Sequence, residues 1–400
     1  MVKELPAALE LLLICLSQRS DDQKRHAFAH SNVDWVEFFA LAKWHRVTPQ
    51  IYRQLRRLEL SCVPTHIMAD LKAHVTANTC RVLSLTAEMI KLTHIFNLAH
   101  IRCLTIKGTP LAMQLYDDVT ARECRDIDLL IAPEDLRQAH KLILEQGYVQ
   151  KYGKIGLSPK QHSFYLKHRK DAVYWHPQAC VSLELHWRLC NEVDDFSVGM
   201  DELCKNATTL QMGDVPIRTL SPEYNMMYLA AHGSGHAWSY LYWLADIERS
   251  LSLPIERNWE AIIAQAKICG VYFRLIEAIL LAHRLLKAPL PAAIEKCSER
   301  HAHISSLLTL SIKIICQRQA QSPQIYLIKL ARLAKLRLLI KGTTKRLSQY
   351  FFDAMPEDWE QVSLPDSLFF LYYPLRPLLW FWREVTNWSI KKTVFQPRPF

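Results

Sequence analysis

Glycine is scarce in this sequence, with ten in 400 residues. That scarcity excludes collagen-like and glycine-rich chains and speaks for helix over an all-β architecture. Paired cysteines are missing too: the eleven lie singly from Cys15 to Cys316 with no CxxC. Such spacing excludes a disulfide framework or zinc knuckle and reads as reduced thiols of a cytoplasmic protein. No run of about 18 uncharged apolar residues occurs, so no transmembrane helix is expected. The opening MVKELPAALELLLICLSQRSDD is interrupted by Glu4 and Glu10 and has the spacing of an amphipathic helix rather than a signal peptide. Acid is absent from one region altogether. Between His301 and Phe352 there is no Asp or Glu but nine Lys or Arg, in a chain of net charge +10. An anionic partner would be drawn there.

What is present is ample core. Half the residues are hydrophobic and 22% are charged, which excludes disorder, and the length suits two or three domains. LPAALELLLICLS, VDWVEFFALAKWH and the stretch from Thr65 to Ala99 carry apolar residues at helical spacing, with breaks at Pro49 and Pro64. The pattern then changes. IRCLTI (101–106) reads as a strand ended by Lys107-Gly108, TPLAMQLY as a helix, IDLLIA (127–132) as a strand, and PEDLRQAHKLILEQG (133–147) as a helix closed by Gly147. HSFYLKH (162–168), AVYWHP, VSLELHW, TTLQM and VPIRTL read as further strands. Ser221-Pro222-Glu223 then starts a return to helices. The expected organisation is a helical region over 1–99, an α/β core over 100–220 and a helical region over 221–400.

Asp126 and Asp128 stand two apart in the strand, so their carboxylates project from one face while Ile127, Leu129 and Ile131 face the other way. Parallel carboxylates repel unless a cation lies between them, and Mg²⁺ held by carboxylates and substrate phosphates is the usual solution. Glu184, the lone acid of VSLELHW, supplies a third carboxylate if its strand lies alongside. Three such acids would mount a two-metal site for in-line phosphoryl displacement. Upstream, Lys107, Gly108 and Thr109 open a helix whose N–H groups suit a triphosphate, and Arg122 and Arg125 offer guanidinium forks to phosphate oxygens. Each feature alone is commonplace; their conjunction points to chemistry.

KGTPLAMQLYDDVTARECRDIDLLI followed by a helix ending in EQGY resembles the nucleotidyltransferase-5 family of bacterial proteins, within the DNA polymerase β-like nucleotidyltransferase superfamily. LELHW, LAAHGSGHAWSYLYWLADI and MPEDWEQVSLPDSLFFLYYPLRP extend the resemblance over most of the chain. It implies an α+β fold, a mixed sheet with helices flanked by helical regions at both ends. It also implies an Mg²⁺-dependent enzyme that takes ATP or another NTP and passes a nucleotidyl group to an acceptor. The superfamily's turn and acids correspond here to Gly108 and Thr109, then Asp126, Asp128 and Glu184. Thr109 stands where serine is usual and keeps the hydroxyl. The acceptor, whether sugar phosphate, peptide, protein or nucleic acid, stays open.

Other residues have blander readings beside functional ones. His186 shares the face of Glu184 and would orient the acid or touch phosphate. His232 and His236 stand four apart on one helix face. The glutamate of HExxH is absent, so they fit a cleft wall, or core packing with close approach at Gly233 and Gly235, better than zinc. Asp246 is expected to pair with a basic side chain. IYLIKLARLAKLRLLIKGTTKRL (325–347) would lie on an anionic membrane surface or bind nucleic acid or, as is more usual, pack on the protein's own acidic helices. LYYPLRPLLWFWREV (371–385) is expected to be buried between C-terminal helices, with an interfacial anchor as its rival. No known nucleic-acid motif accompanies either stretch. The competing function is a non-catalytic scaffold or membrane-peripheral binding protein that keeps the fold.

Overall fold

Period-two and period-3.6 hydrophobic spacing both occur in the chain, and among the described residues strands form only in its middle. The computed structural model describes residues 5–152, 158–190, 196–299, 303–317, 323–341 and 354–393. Four short helices come first: α1 (Ala7–Leu16), α2 (Asp21–Ala29), α3 (Trp35–Trp44) and α4 (Thr48–Leu58). Their starts follow local chemistry. Ser20 and Gln23 form a reciprocal capping box on α2, and Asp34 accepts from the Val36 and Glu37 N–H groups at the start of α3. The long α5 (Thr65–Leu98) follows Pro64, which cannot extend a preceding helix.

The middle of the chain runs β1 (Cys103–Thr105), α6 (Gly108–Tyr116), β2 (Asp126–Ile131), α7 (Leu136–Glu145), β3 (Val149–Tyr152), α8 (Pro159–His168), β4 (Asp171–His176), β5 (Val181–His186), α9 (Met200–Lys205), β6 (Thr208–Met212) and β7 (Val215–Thr219). The strands make one mixed sheet in the order β3-β4-β5-β2-β1-β7-β6. β2 and β5 pair in parallel at its centre, β1 is antiparallel to β2, and β4 is antiparallel to β5. This is the α+β architecture with a mixed sheet and flanking helices that the resemblance implies.

Each face of the sheet has its own core. Ile127, Leu129, Ile131, Leu183 and Leu185 pack with Val82, Leu85, Met89 and Phe96 of α5 and Ala139 and Ile143 of α7. From the opposite face Leu104, Ile106 and Leu130 join a larger core. Helices α10 (Pro222–Gly235), α11 (Leu241–Ser252), α12 (Trp259–Ile268), α13 (Tyr272–Leu286), α14 (Ala292–Glu299) and α15 (His303–Ile315) all contribute to it. So do α1, α3 and α4, which are remote in sequence. The second face, where Asp126, Asp128, Glu184 and His186 stand, is thus roofed by helices from both ends of the chain.

Two strand expectations need correction. Residues 162–168 lie in helix α8, because Ser158 and Gln161 form a capping box and Pro159 sits in the first turn, where its missing N–H costs nothing. The edge strand β3 was not foreseen, since VQKY alternates with polar residues and Val149 stays 49% exposed.

The last described helices are α16 (Pro323–Lys341), α17 (Pro356–Gln361) and α18 (Tyr372–Thr393). Arg332, from the basic stretch, is buried against the protein's own acid: its Nη2 lies 2.6 Å from Glu277 Oε2 and its Nη1 donates to the Ser234 carbonyl at 2.7 Å. Residues 342–347 of that stretch lie outside the described residues. The aromatic stretch departs from expectation. Tyr372 is buried with Trp359 and Phe369, but Leu378 and Phe381 are 67% and 63% exposed. Only one side of α18 is covered among the described residues. No helix of the described residues is long and apolar enough to cross a membrane.

The turn between α3 and α4 is pinned to α11. His45 is buried, its Nδ1 accepts the Leu241 N–H at 3.3 Å, and its carbonyl accepts the Tyr242 N–H at 3.2 Å. Burial pushes its imidazole down from 6.5 to about 4. Between these values the unfolded chain binds the proton and the folded one does not, so stability falls as pH drops through that window. His45 alone accounts for about 3 kcal/mol of that loss. Urea midpoints measured from pH 7 to 4 should fall steeply for the wild type and less steeply for His45→Gln.

Candidate active site

The centre of the site follows from strand register. In the parallel pair, Asp126 lies opposite Ser182, Asp128 opposite Glu184, and Leu130 opposite His186. With side chains alternating, Asp126, Asp128, Glu184 and His186 all rise from the face roofed by helices. His186 Nε2 sits 3.0 Å from Asp128 Oδ1 and 3.3 Å from Glu184 Oε2, bridging the two carboxylates. Neighbouring β4 adds Asp171, opposite His186, with its Oδ2 4.0 Å from His186 Nδ1 and 3.0 Å from the Lys170 ammonium.

Lys107 enters from the β1–α6 turn and places its ammonium 2.8 Å from Asp128 Oδ1, where only 12% of its side chain is accessible. Its backbone is unusual. With φ 59° and ψ −147°, Lys107 occupies a region that L side chains rarely adopt, and Gly108 follows at φ +56°. A non-glycine residue held there costs roughly 1–3 kcal/mol, and such strain collects at functional sites. The Ile106 N–H bond to the Asp128 carbonyl, 3.1 Å, and the Lys107–Asp128 ion pair hold the turn against β2.

Electrostatics separates the two aspartates. Burial alone would raise both. Lys107 and the hydrogen bond from His186 overcome it at Asp128 and hold that carboxyl well below the usual range. At Asp126 burial and the nearby charges of Asp128 and Glu184 prevail over Lys107, and the carboxyl is pushed up to about 6. Lys107 is itself buried, which disfavours its charge, but Asp128 holds it ionised well above the ordinary lysine value.

The structure brings together Lys107, Asp126, Asp128, Glu184 and His186. It sends other expected residues elsewhere. Arg122 is buried in an ion pair with Asp246 at 2.8 Å and lies over the Tyr242 ring at 5.0 Å, so its fork faces α11 rather than the acids. Asp246 thereby has the basic partner expected of it. The Thr109 hydroxyl points at Met89 Sδ of α5, 3.8 Å away, and the Lys107–Pro110 turn borders a cavity of only about 10 Å³ shared with Asp126 and Asp128. Arg125 is exposed beside Asp126.

Helix α10 forms the roof. Its residue Tyr228 has its ring centroid 5.8 Å from the Lys107 ammonium. His232 and His236 sit 4.6 Å apart, and His236 stacks on Trp243 at 5.1 Å. Crowding by protein atoms, with the positive charges of Lys107, Lys170 and Lys329, pushes His236 down to about 4 although it stays open to water. This combination marks a cleft wall. Close packing is the part of Gly233 alone: a Cβ there would run into the buried Trp238 indole, whereas Gly235 has open space.

Asp171 and Lys170 were missed in the sequence, although an acid opening an alternating strand, AVYWH, is the signal that marks them. Among the described residues, the cluster able to hold a metal ion is Asp128, Glu184 and His186, with one ligand atom of each within 4.8 Å of the others. The two carboxylates suit a hard divalent cation, with His186 Nε2 beside both of them. The family model for an uncharacterised nucleotidyltransferase matches residues 31–287. No curated protein matches the sequence.

Two outcomes test this geometry. Lys107→Met leaves Asp128 without its ammonium and should destabilise the metal-free protein by about 3–5 kcal/mol. Millimolar Mg²⁺ or Mn²⁺ should then raise the melting midpoint of the variant more than that of the wild type. Gly233→Ala, by overpacking Trp238, should cost roughly 1–3 kcal/mol in urea unfolding.

Proposed function

Because the chain belongs to this family of uncharacterised nucleotidyltransferases, we propose that it transfers a nucleotidyl group from an NTP to an acceptor, with Mg²⁺ at the acid cluster. One observation carries the reading: Asp128 and Glu184 stand directly opposite each other on adjacent central strands. The surrounding charge supports it. Asp126, Asp128, Asp171 and Glu184, when ionised, bring four negative charges, and Lys107 and Lys170 return two. The two left over match one divalent cation.

In this reading Asp128 and Glu184 hold the ion and Asp126 completes the acid set. His186 orients both carboxylates, and Lys107 turns from Asp128 to the phosphates with Gly108 and Thr109 beside it. Bound Mg²⁺ supplies Lewis-acid stabilisation of the charge that develops on the phosphoryl oxygens. An acceptor oxygen attacks the α-phosphorus, the bond to the bridging oxygen breaks, and pyrophosphate leaves. Glu184, 26% exposed and so within reach of solvent and acceptor, takes the proton of the attacking hydroxyl. His232, His236 and Trp243 face the base or the acceptor.

Equilibrium binding of ATP, CTP, GTP and UTP with and without Mg²⁺ tests the proposal. Binding should tighten at least tenfold with the metal, and Asp128→Asn should remove that gain. If Asp126→Asn and Asp128→Asn left metal-dependent nucleotide transfer intact, the assignment would be wrong. Mg²⁺ affinity should also rise as pH passes upward through about 6, where Asp126 loses its proton.

A second reading, membrane-peripheral binding without catalysis, draws on the exposed Phe370, Leu378 and Phe381 around α18. Flotation with anionic liposomes, together with metal-independent nucleotide binding or none, would favour it.

A further inference from the structure

Three chain segments meet beside the N-terminal end of β2, and buried polar contacts tie them together. The Glu123 carboxylate accepts the Thr48 hydroxyl of α4 at 2.6 Å and lies 3.4 Å from His74 Nε2 of α5. One turn further along α5, the Asn78 side chain donates to the Arg122 carbonyl at 3.2 Å. Each tied segment carries an arginine close to its knot. Arg46 is two residues before Thr48, Arg81 is three after Asn78 on the same helix face, and Arg125 is two after Glu123 and adjacent to Asp126.

Arg46 is held by aromatic rings, its guanidinium 4.7 Å from the Tyr240 centroid and 5.6 Å from that of Tyr242. Arg81 and Arg125 are exposed. Among the described residues none of the three makes an ion pair, because the one buried acid at the junction, Glu123, is already engaged by Thr48 and His74. Burial lowers the Arg125 guanidinium, and the positive charges of Arg46 and Arg81 lower it further. The three groups therefore feel one another. Glu123 offsets part of this charge, and the positive charge left over costs free energy unless an anion joins it. Guanidinium forks match phosphate oxygens, and up to three positive charges suit a multiply charged anion better than a single carboxylate.

We propose that Arg46, Arg81 and Arg125 form a phosphate-binding site beside the carboxylate cluster, separate from the Lys107 turn. Its ligand is a phosphate group, borne either by the acceptor or by the polyphosphate tail of the NTP. Which of the two it is rests on the nucleotidyltransfer reading; the site itself does not. The roofing residues favour a substrate over a passing ion, since Tyr240 beside Arg46 leads directly into α11 and the His236–Trp243 stack.

The test is isothermal titration of the full chain in EDTA with inorganic tripolyphosphate and, separately, methyl phosphate. Wild type should bind tripolyphosphate, and Arg81→Gln with Arg125→Gln should weaken that binding at least tenfold while the thermal midpoint stays unchanged. Arg46→Gln alone should weaken it several-fold. Arg284→Gln, on the exposed end of α13, should leave it as it is. Titration of the same variants with Mg²⁺ and ATP then separates the sources. Equal weakening of Mg·ATP assigns the site to the donor's tail, and weakening of the two phosphate probes alone assigns it to the acceptor. Absence of tripolyphosphate binding to wild type, or equal binding to wild type and the double variant, overturns the proposal. Should Mg·ATP fail to bind any form while tripolyphosphate still depends on the arginines, the site stands and the nucleotidyltransfer reading falls.

Discussion

The parallel pairing of β2 with β5 governs the centre of this molecule. It sets two carboxylates face to face, Asp128 buried and Glu184 only partly exposed, where water screens their repulsion poorly. Everything around the pair answers that repulsion. Lys107 is driven into a strained backbone conformation to reach Asp128, His186 wedges between the acids, and Lys170 occupies the next acid along. The result is a site whose charges are only half balanced by the chain itself.

Much of this was legible from residue order. The period-two pattern of IDLLI and VSLEL announces strands, and it also places the acids on the face opposite the apolar residues. The Lys-Gly turn and the cap-like Ser-Pro-Glu before α10 are local signals that local physics decides. The register was not legible. Nothing in the spacing of residues 128 and 184 says that they become neighbours, and Glu184 stood as a third carboxylate only on the condition that its strand lay alongside. The engagement of Arg122 was equally hidden, because its partner Asp246 lies 124 positions further on. Helix α8 misled for the opposite reason: Phe164 and Leu166 alternate with polar residues as in a strand, but the cap at Ser158 outweighs a two-residue coincidence.

The roof shows a different division of labour. Trp238 is fully buried and fits only because Gly233 has no side chain, while His236, two residues earlier in the chain, faces water. Arg332 bonds to the Ser234 carbonyl and to Glu277, fixing the last turn of α10 from beneath. The same short segment thus presents a rigid, packed side to the core and a wet, aromatic side to the cleft. A wall of this kind keeps its shape whether or not a ligand is present.

The shared core of α1, α3 and α4 with α10 to α15 bears on how the chain reaches this state. Gln18, just past α1, gives its N–H to the Leu286 carbonyl at the end of α13. On a ribosome, the first helices therefore emerge long before the surface that will cover them, and their leucines wait exposed through synthesis of the entire sheet. Chaperone dependence during expression, and failure of fragments cut between α5 and β1, are what such a late closure brings.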